Sequence, residues 1–217
     1  MRVVLVVLAA LGLMGPAWGD TQPVFRVEFS NPGLTPSNWT LEIHPDGSGH
    51  FHSVRGNAVH DGPQTLEAPD VDRDVQLSKA FADRAFQVTR RHKLFVKGCE
   101  SHLKVAFQGT KKFSYSGPDG EGGCEYNYSR DAEIQSLGDS LVAVATTIIE
   151  GARLEMLLQH DRLGLDREIG VLEESLGDGR VLEIGCIRGI LERLAQDQGV
   201  MERVRKRAQS LLAKAHG

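Results

Sequence analysis

Trp39-Thr40-Leu41-Glu42-Ile43-His44-Pro45-Asp46-Gly47-Ser48-Gly49-His50-Phe51-His52 is the stretch that decides the fold. Apolar and polar residues alternate on both sides of Pro45-Asp46-Gly47, which is the period of a half-buried strand broken by turn residues. Two registers compete. A two-residue Asp-Gly turn sets Ile43 opposite His50, an apolar residue and a polar one on the same face. A three-residue Pro-Asp-Gly loop, with Gly47 in the left-handed bulge position, sets Leu41 opposite Phe51 and Glu42 opposite His50. The second keeps Trp39, Leu41, Ile43 and Phe51 together on one face, so the pattern predicts that register.

Outward from the hairpin, residues 25–29 alternate and predict a further strand. A strand around 71–77 is followed by Ser78 as the N-cap of a helix to about 92, with Phe81, Ala85 and Val88 inward. Three more strands are predicted at 102–108, 111–116 and 124–128. Gly109-Thr110 makes a tight turn between the first two, and residues 117–123 form a flexible glycine-rich loop between the second and third.

From Asp131 the period becomes helical. Ile134, Leu137, Leu141, Ala145 and Ile148 mark one stripe, and Leu154, Leu157 and Leu158 the next. Leu165, Ile169, Leu172 and Leu176 follow, with Gly177 as a stop. Ile184, Ile187, Leu191 and Leu194 precede a last stripe, Val200, Val204, Ala208, Leu211 and Ala215. Gly185 and Gly189 would let a neighbouring helix approach closely. The expected class is α+β: a small, mainly antiparallel sheet with one packed helix over 20–130, then a bundle of four to five helices over 131–217.

Residues 1–19 have the layout of a cleaved signal peptide. Arg2 precedes an apolar run, Gly15 and Pro16 break it, and Ala17-Trp18-Gly19 puts small residues at −3 and −1 of a cut before Asp20. The expected location is therefore periplasmic or secreted, with no transmembrane anchor in the mature chain. The chain is mildly acidic, net −4, which gives it no electrostatic reason to seek nucleic acid or an anionic membrane. Of its three cysteines, Cys99 and Cys124 form the natural pair in an oxidising compartment, and Cys186 is left as a buried free thiol.

The N-terminal half resembles small exported bacterial domains of unknown function, on Trp39 to Gly49 and on the Cys99 to Cys124 section. That resemblance implies the α+β layout and no activity. Asp197, Val200, Val204-Arg205, Arg207-Ala208 and Leu211-Leu212 resemble the second helix of a HEAT-type pair, which implies a helical protein-contact surface. One pair falls short of the three or so repeats that a solenoid needs.

The residue patterns offer few chemical candidates. In the predicted register Glu42, His44, His50 and His52 share the polar face of the hairpin, and two imidazoles with a carboxylate there could hold Zn²⁺ or Cu²⁺. The competing reading is the solvated face of an antiparallel sheet. Cys99-x-x-His102 with Cys124 lacks the fourth ligand of a structural zinc site. Asp70, Asp72 and Asp74 alternate as in a calcium loop, but Val75 and Phe81 stand where glycine and glutamate are required. Gly47-Ser48-Gly49 lacks the frame of a nucleophile elbow, and residues 117–123 lack the Lys-Ser/Thr of a phosphate loop. Arg203, Arg205, Lys206, Arg207 and Lys214 read as the solvated face of the last helix. Asn38-Trp39-Thr40 and Asn127-Tyr128-Ser129 are formal glycosylation sequons.

No cofactor is implied. The expected function is an exported, non-catalytic interaction or scaffold module that meets another protein through its C-terminal helices. The alternatives are a metal-binding protein using the hairpin histidines and a hydrolase with its site between the halves.

Overall fold

The computed structural model describes residues 22–55 and 69–215; the predicted signal peptide lies outside the described residues. Six strands form one antiparallel sheet in the order β4-β3-β2-β1-β5-β6. They are β1 (Val24–Ser30), β2 (Asn38–Ile43), β3 (Ser48–Val54), β4 (Val71–Gln76), β5 (Thr110–Gly117) and β6 (Gly120–Tyr126). Helix α1 (Lys79–Arg91) joins β4 to β5, and four helices follow the sheet: α2 (Ala132–His160), α3 (Leu165–Gly177), α4 (Arg188–Gln196) and α5 (Glu202–Lys214). The class is α+β, as the residue periods predict.

The hairpin adopts the predicted register, with Leu41 opposite Phe51 and Glu42 opposite His50. Gly47 takes φ +85°, and Asp46 braces the loop by accepting from the Ser48 backbone and hydroxyl at 2.9 and 2.6 Å. One face of the sheet carries Phe25, Val27, Trp39, Leu41, Ile43, Phe51 and Phe113, all buried. These pack with Phe81, Ala85, Phe86 and Val88 of α1 and with residues from Ile134 to Ala152 of α2 in one apolar cluster. Ser78 caps α1 as predicted, its hydroxyl accepting from the Phe81 backbone.

Cys99 and Cys124 form the predicted disulfide, 25 residues apart, a bond that belongs to oxidising compartments outside the cytoplasm. Cys186 is free and half-buried. Burial, and then the nearby Glu183 carboxylate, push its thiol up to about 12, so it has almost no thiolate character at neutral pH.

Several expectations are corrected. Residues 102–108 are not a strand: His102 takes a left-handed φ of 55°, and the Val105 N–H turns back onto the Leu103 carbonyl at 3.0 Å. The partner that a Gly109-Thr110 turn would offer has no free edge, because β5 is paired with β1 on one side and with β6 on the other. The glycine-rich stretch 117–123 is mostly strand. Gly117 pairs with Gly120 around a two-residue turn, and Gly120 to Gly123 belong to β6. Gly122 is there because the Leu94 carbonyl oxygen sits where a Cβ would be.

The stripes at 134–148 and 154–158 lie on one 29-residue helix, α2. Helix α3 runs through Gly177, and the left-handed glycine after it is Gly179, φ +72°. Gly185 and Gly189 meet no close neighbour among the described residues. The tight approaches are at Gly138, against the Tyr126 hydroxyl, and at Gly151, against Ile187. Leu154 and Leu157 of α2 belong to a second apolar cluster with Leu165, Ile169, Leu191 and Val204.

The junction between the sheet and the helical group is packed and cross-linked. Glu183 accepts from the Ser78 backbone and hydroxyl at 2.6 and 2.9 Å. Glu155 bridges Arg73 of β4 and Arg193 of α4 at 2.7 and 3.0 Å. The basic stripe of α5 is partly neutralised, since Arg203 and Arg207 both reach Asp166 of α3, at 2.8 and 3.2 Å.

Candidate functional site

Strand alternation sends Arg26, Glu28, Thr40, Glu42, His50, His52, Asp72 and Asp74 to the face opposite the core. On it, β4 lies beside β3 with His50 opposite Asp74 and His52 opposite Asp72. His50 is held on both sides: its Nδ1 lies 2.9 Å from Asp74 and its Nε2 3.0 Å from Asp72. The other Asp72 oxygen meets His52 Nδ1 at 3.0 Å. The result is a ladder of imidazoles and carboxylates along one edge of the sheet.

The structure brings together only part of the predicted metal set. His50 and His52 are neighbours on the outer face, as expected. Glu42 is directly opposite His50 but is engaged by Arg26, 2.7 Å from its Nη1. His44 lies past the end of β2, and its Nδ1 is enclosed without a hydrogen-bond partner among the described residues. Among the described residues, no three His, Cys, Asp or Glu side chains form a group placed to hold a metal ion. The carboxylates that do face the histidines are those of Asp72 and Asp74.

The hydrogen bond that His50 donates to Asp74, aided by the charge of Asp72, raises the His50 imidazole above its ordinary value of 6.5. A histidine raised in the folded state stabilises the fold fully below the unfolded value and loses that contribution as pH rises through the folded one. The pairing of β4 with β3 is therefore expected to be tightest at mildly acidic pH. Amide exchange of residues 71–75, corrected for its intrinsic pH dependence, should quicken as the solution passes from below 6.5 to above it, and His50→Asn should remove the effect. Corrected rates that stay flat would rule the ladder out as a pH-responsive contact. With Asp74 95% and His50 44% exposed, the response belongs to the edge strand and not to global stability.

A second titratable cluster joins two helices, so the sequence alone does not bring its parts together. Arg153 lies 2.9 Å from both Glu150 and Glu168, on α2 and α3. Burial raises the Glu150 carboxyl well above the usual range. The three groups are clamped to one another, which suits a structural tie between helices.

The remaining feature is the excursion from Cys99 to Gly109. Its base is tied down repeatedly. Beside the disulfide, the Ser101 N–H donates to the Tyr128 carbonyl at 2.9 Å. The Asn127 side chain accepts from the Gln108 N–H at 2.7 Å and donates to the Ala106 carbonyl at 3.2 Å. At the far end Gly109, φ +104°, lies against the Phe29 ring. Between these anchors every residue from 102 to 108 is exposed, and Leu103, Val105 and Phe107 turn 44%, 38% and 58% of their surface to solvent. Leu103, Val105 and Phe107 alternate as they would in a strand, but they face solvent.

Fold and surface together define an α+β protein with a disulfide-pinned sheet, a polar outer face, an exposed apolar loop and an appended helical group. No protein-family model and no curated protein matches the chain.

Proposed function

We propose that this chain is an exported, non-catalytic binding module that makes contact through the loop 102–108. The observation behind this reading is the loop itself: three large apolar side chains held in water on a base fixed by a disulfide and three hydrogen bonds. Exposed apolar groups that are pre-organised rather than mobile are characteristic of contact surfaces, since ordering them on binding costs little. The C-terminal helices, the surface favoured by sequence alone, offer Leu163 and Val171 as exposed large apolar residues, one in a connection and one on α3. The loop is the stronger candidate.

Export is supported by the pattern of residues 1–19 and by the oxidising compartment that the disulfide implies. Intact mass of the protein recovered from the export compartment should begin at Asp20 and be lighter by two hydrogens than the reduced chain. Its single thiol, on Cys186, should alkylate readily only after denaturation. A mass that includes Met1, or three reactive thiols, would overturn export. The contact surface is tested separately with an apolar fluorescent dye. The native protein should bind it, and Leu103→Ser/Val105→Ser/Phe107→Ser should abolish that binding with an unchanged melting temperature. Equal dye binding by both proteins would sink the loop as the contact surface.

A further inference from the structure

We infer that the partner of the 102–108 loop is an anionic lipid surface, a step that rests on the binding-module reading above. The overall charge of −4 argues against such a surface, but charge is distributed very unevenly along this chain. Residues 84–118 hold eight lysines and arginines and a single carboxylate, Glu100. Glu100 is turned inward. It accepts from the Asn127 N–H at 2.7 Å, from the Ser101 N–H and hydroxyl at 2.7 and 3.1 Å, and from the His102 N–H at 3.1 Å. These bonds, that from Asn127 foremost, keep its carboxyl below the usual range, so its charge is spent on the loop base.

The cations divide cleanly. Arg90 pairs with Asp119, Arg91 with Glu133 and Lys112 with Glu28, while Arg84 donates to two serines and Lys111 is buried. Lys93, Lys97 and Lys104 are exposed and engage no carboxylate among the described residues. Lys97 and Lys104 are interleaved with exposed apolar residues: Lys97 follows Val96, itself 69% exposed, and Lys104 stands between Leu103 and Val105, while Lys93 opens the same segment. Apolar side chains that enter the acyl boundary beside lysines that stay at the headgroups are the two components of interfacial binding.

The shape of the loop favours a lipid surface over the other occupants. A peptide adding as a strand needs a straight run of free backbone donors and acceptors. Here the left-handed His102 and the turn from Val105 onto Leu103 break that run. A rigid protein partner must match in shape the surface it covers. Residues 102–108 are exposed throughout, and a fluid surface accepts exposed apolar side chains without a matching shape.

The test is co-sedimentation of the chain beginning at Asp20 with vesicles of phosphatidylcholine alone or mixed with phosphatidylglycerol. A lysine close to an anionic surface strengthens binding by about fivefold, so the three together should favour the mixed vesicles by about a hundredfold at low salt. Added salt should reduce that preference. Lys93→Gln/Lys97→Gln/Lys104→Gln should erase it, and Leu103→Ser/Val105→Ser/Phe107→Ser should release the protein with its lysines intact. Failure to sediment with mixed vesicles at low salt, or sedimentation unchanged in both variants, would overturn the lipid assignment. Dye binding that is lost in the serine variant would leave the module reading standing in that case. Concentration-dependent dimers abolished by the same variant would then identify a second copy of the chain as the occupant. Loss of neither dye binding nor sedimentation in the serine variant would remove both readings.

Discussion

Cys99→Ser/Cys124→Ser is expected to lower unfolding stability by about 3 kcal/mol, because a loop of this length is no longer closed in the unfolded chain. The bridge spans 25 residues, among them the whole of β5. The native structure loses a second thing. Cys99 is buried against the sheet and is the covalent anchor of an excursion whose other ties are hydrogen bonds. The double variant should therefore become cleavable within 102–108 under conditions in which the parent is intact. Urea melts of the two proteins, followed by limited proteolysis, read both effects. A loss below about 1 kcal/mol would mean that residual structure already closes the loop in the unfolded chain.

Gly47→Ala should cost a similar amount for a different reason. At φ +85° a Cβ is strained wherever it occurs, and here it would also press on the Leu77 carbonyl oxygen and lie 2.9 Å from the Gln76 amide nitrogen. Backbone strain of about 1–2 kcal/mol and overpacking of about 1–3 kcal/mol add to about 3 kcal/mol. The effect should spread, since the Leu77 N–H donates to the Gly47 carbonyl at 2.8 Å and Ser78, the cap of α1, comes next. Gly98→Ala separates the two contributions. Its φ is +77°, yet nothing among the described residues lies within 4 Å of where a Cβ would be, so it should lose only the strain. Equal losses in the two variants would show that the close approach at Gly47 relaxes freely.

The hairpin was legible because everything that sets it is local: the alternation, the turn residues, and a glycine at the one position that needs a positive φ. The disulfide was legible from compartment and position. Residues 102–108 misled because alternation predicts a strand only where a free edge awaits it, and both edges of β5 are taken, by β1 and by β6, a pairing that a local pattern does not name. Half of the outer-face ladder could be read. His50 and His52 follow from the hairpin register, whereas Asp72 and Asp74 are carried by a strand whose partner a local pattern does not name. The Glu150–Arg153–Glu168 tie joins two helices, and only the Glu150–Arg153 spacing could have hinted at it.

Helix α2 enters both apolar clusters, closing the sheet with its first five turns and seeding the helical core with its last. The protein therefore has no seam. Neither half could have been borrowed from another protein, or exchanged for a different one, without rewriting a surface on which its neighbour depends. A change on α2 is inherited by both cores at once, so their histories are written in a single helix.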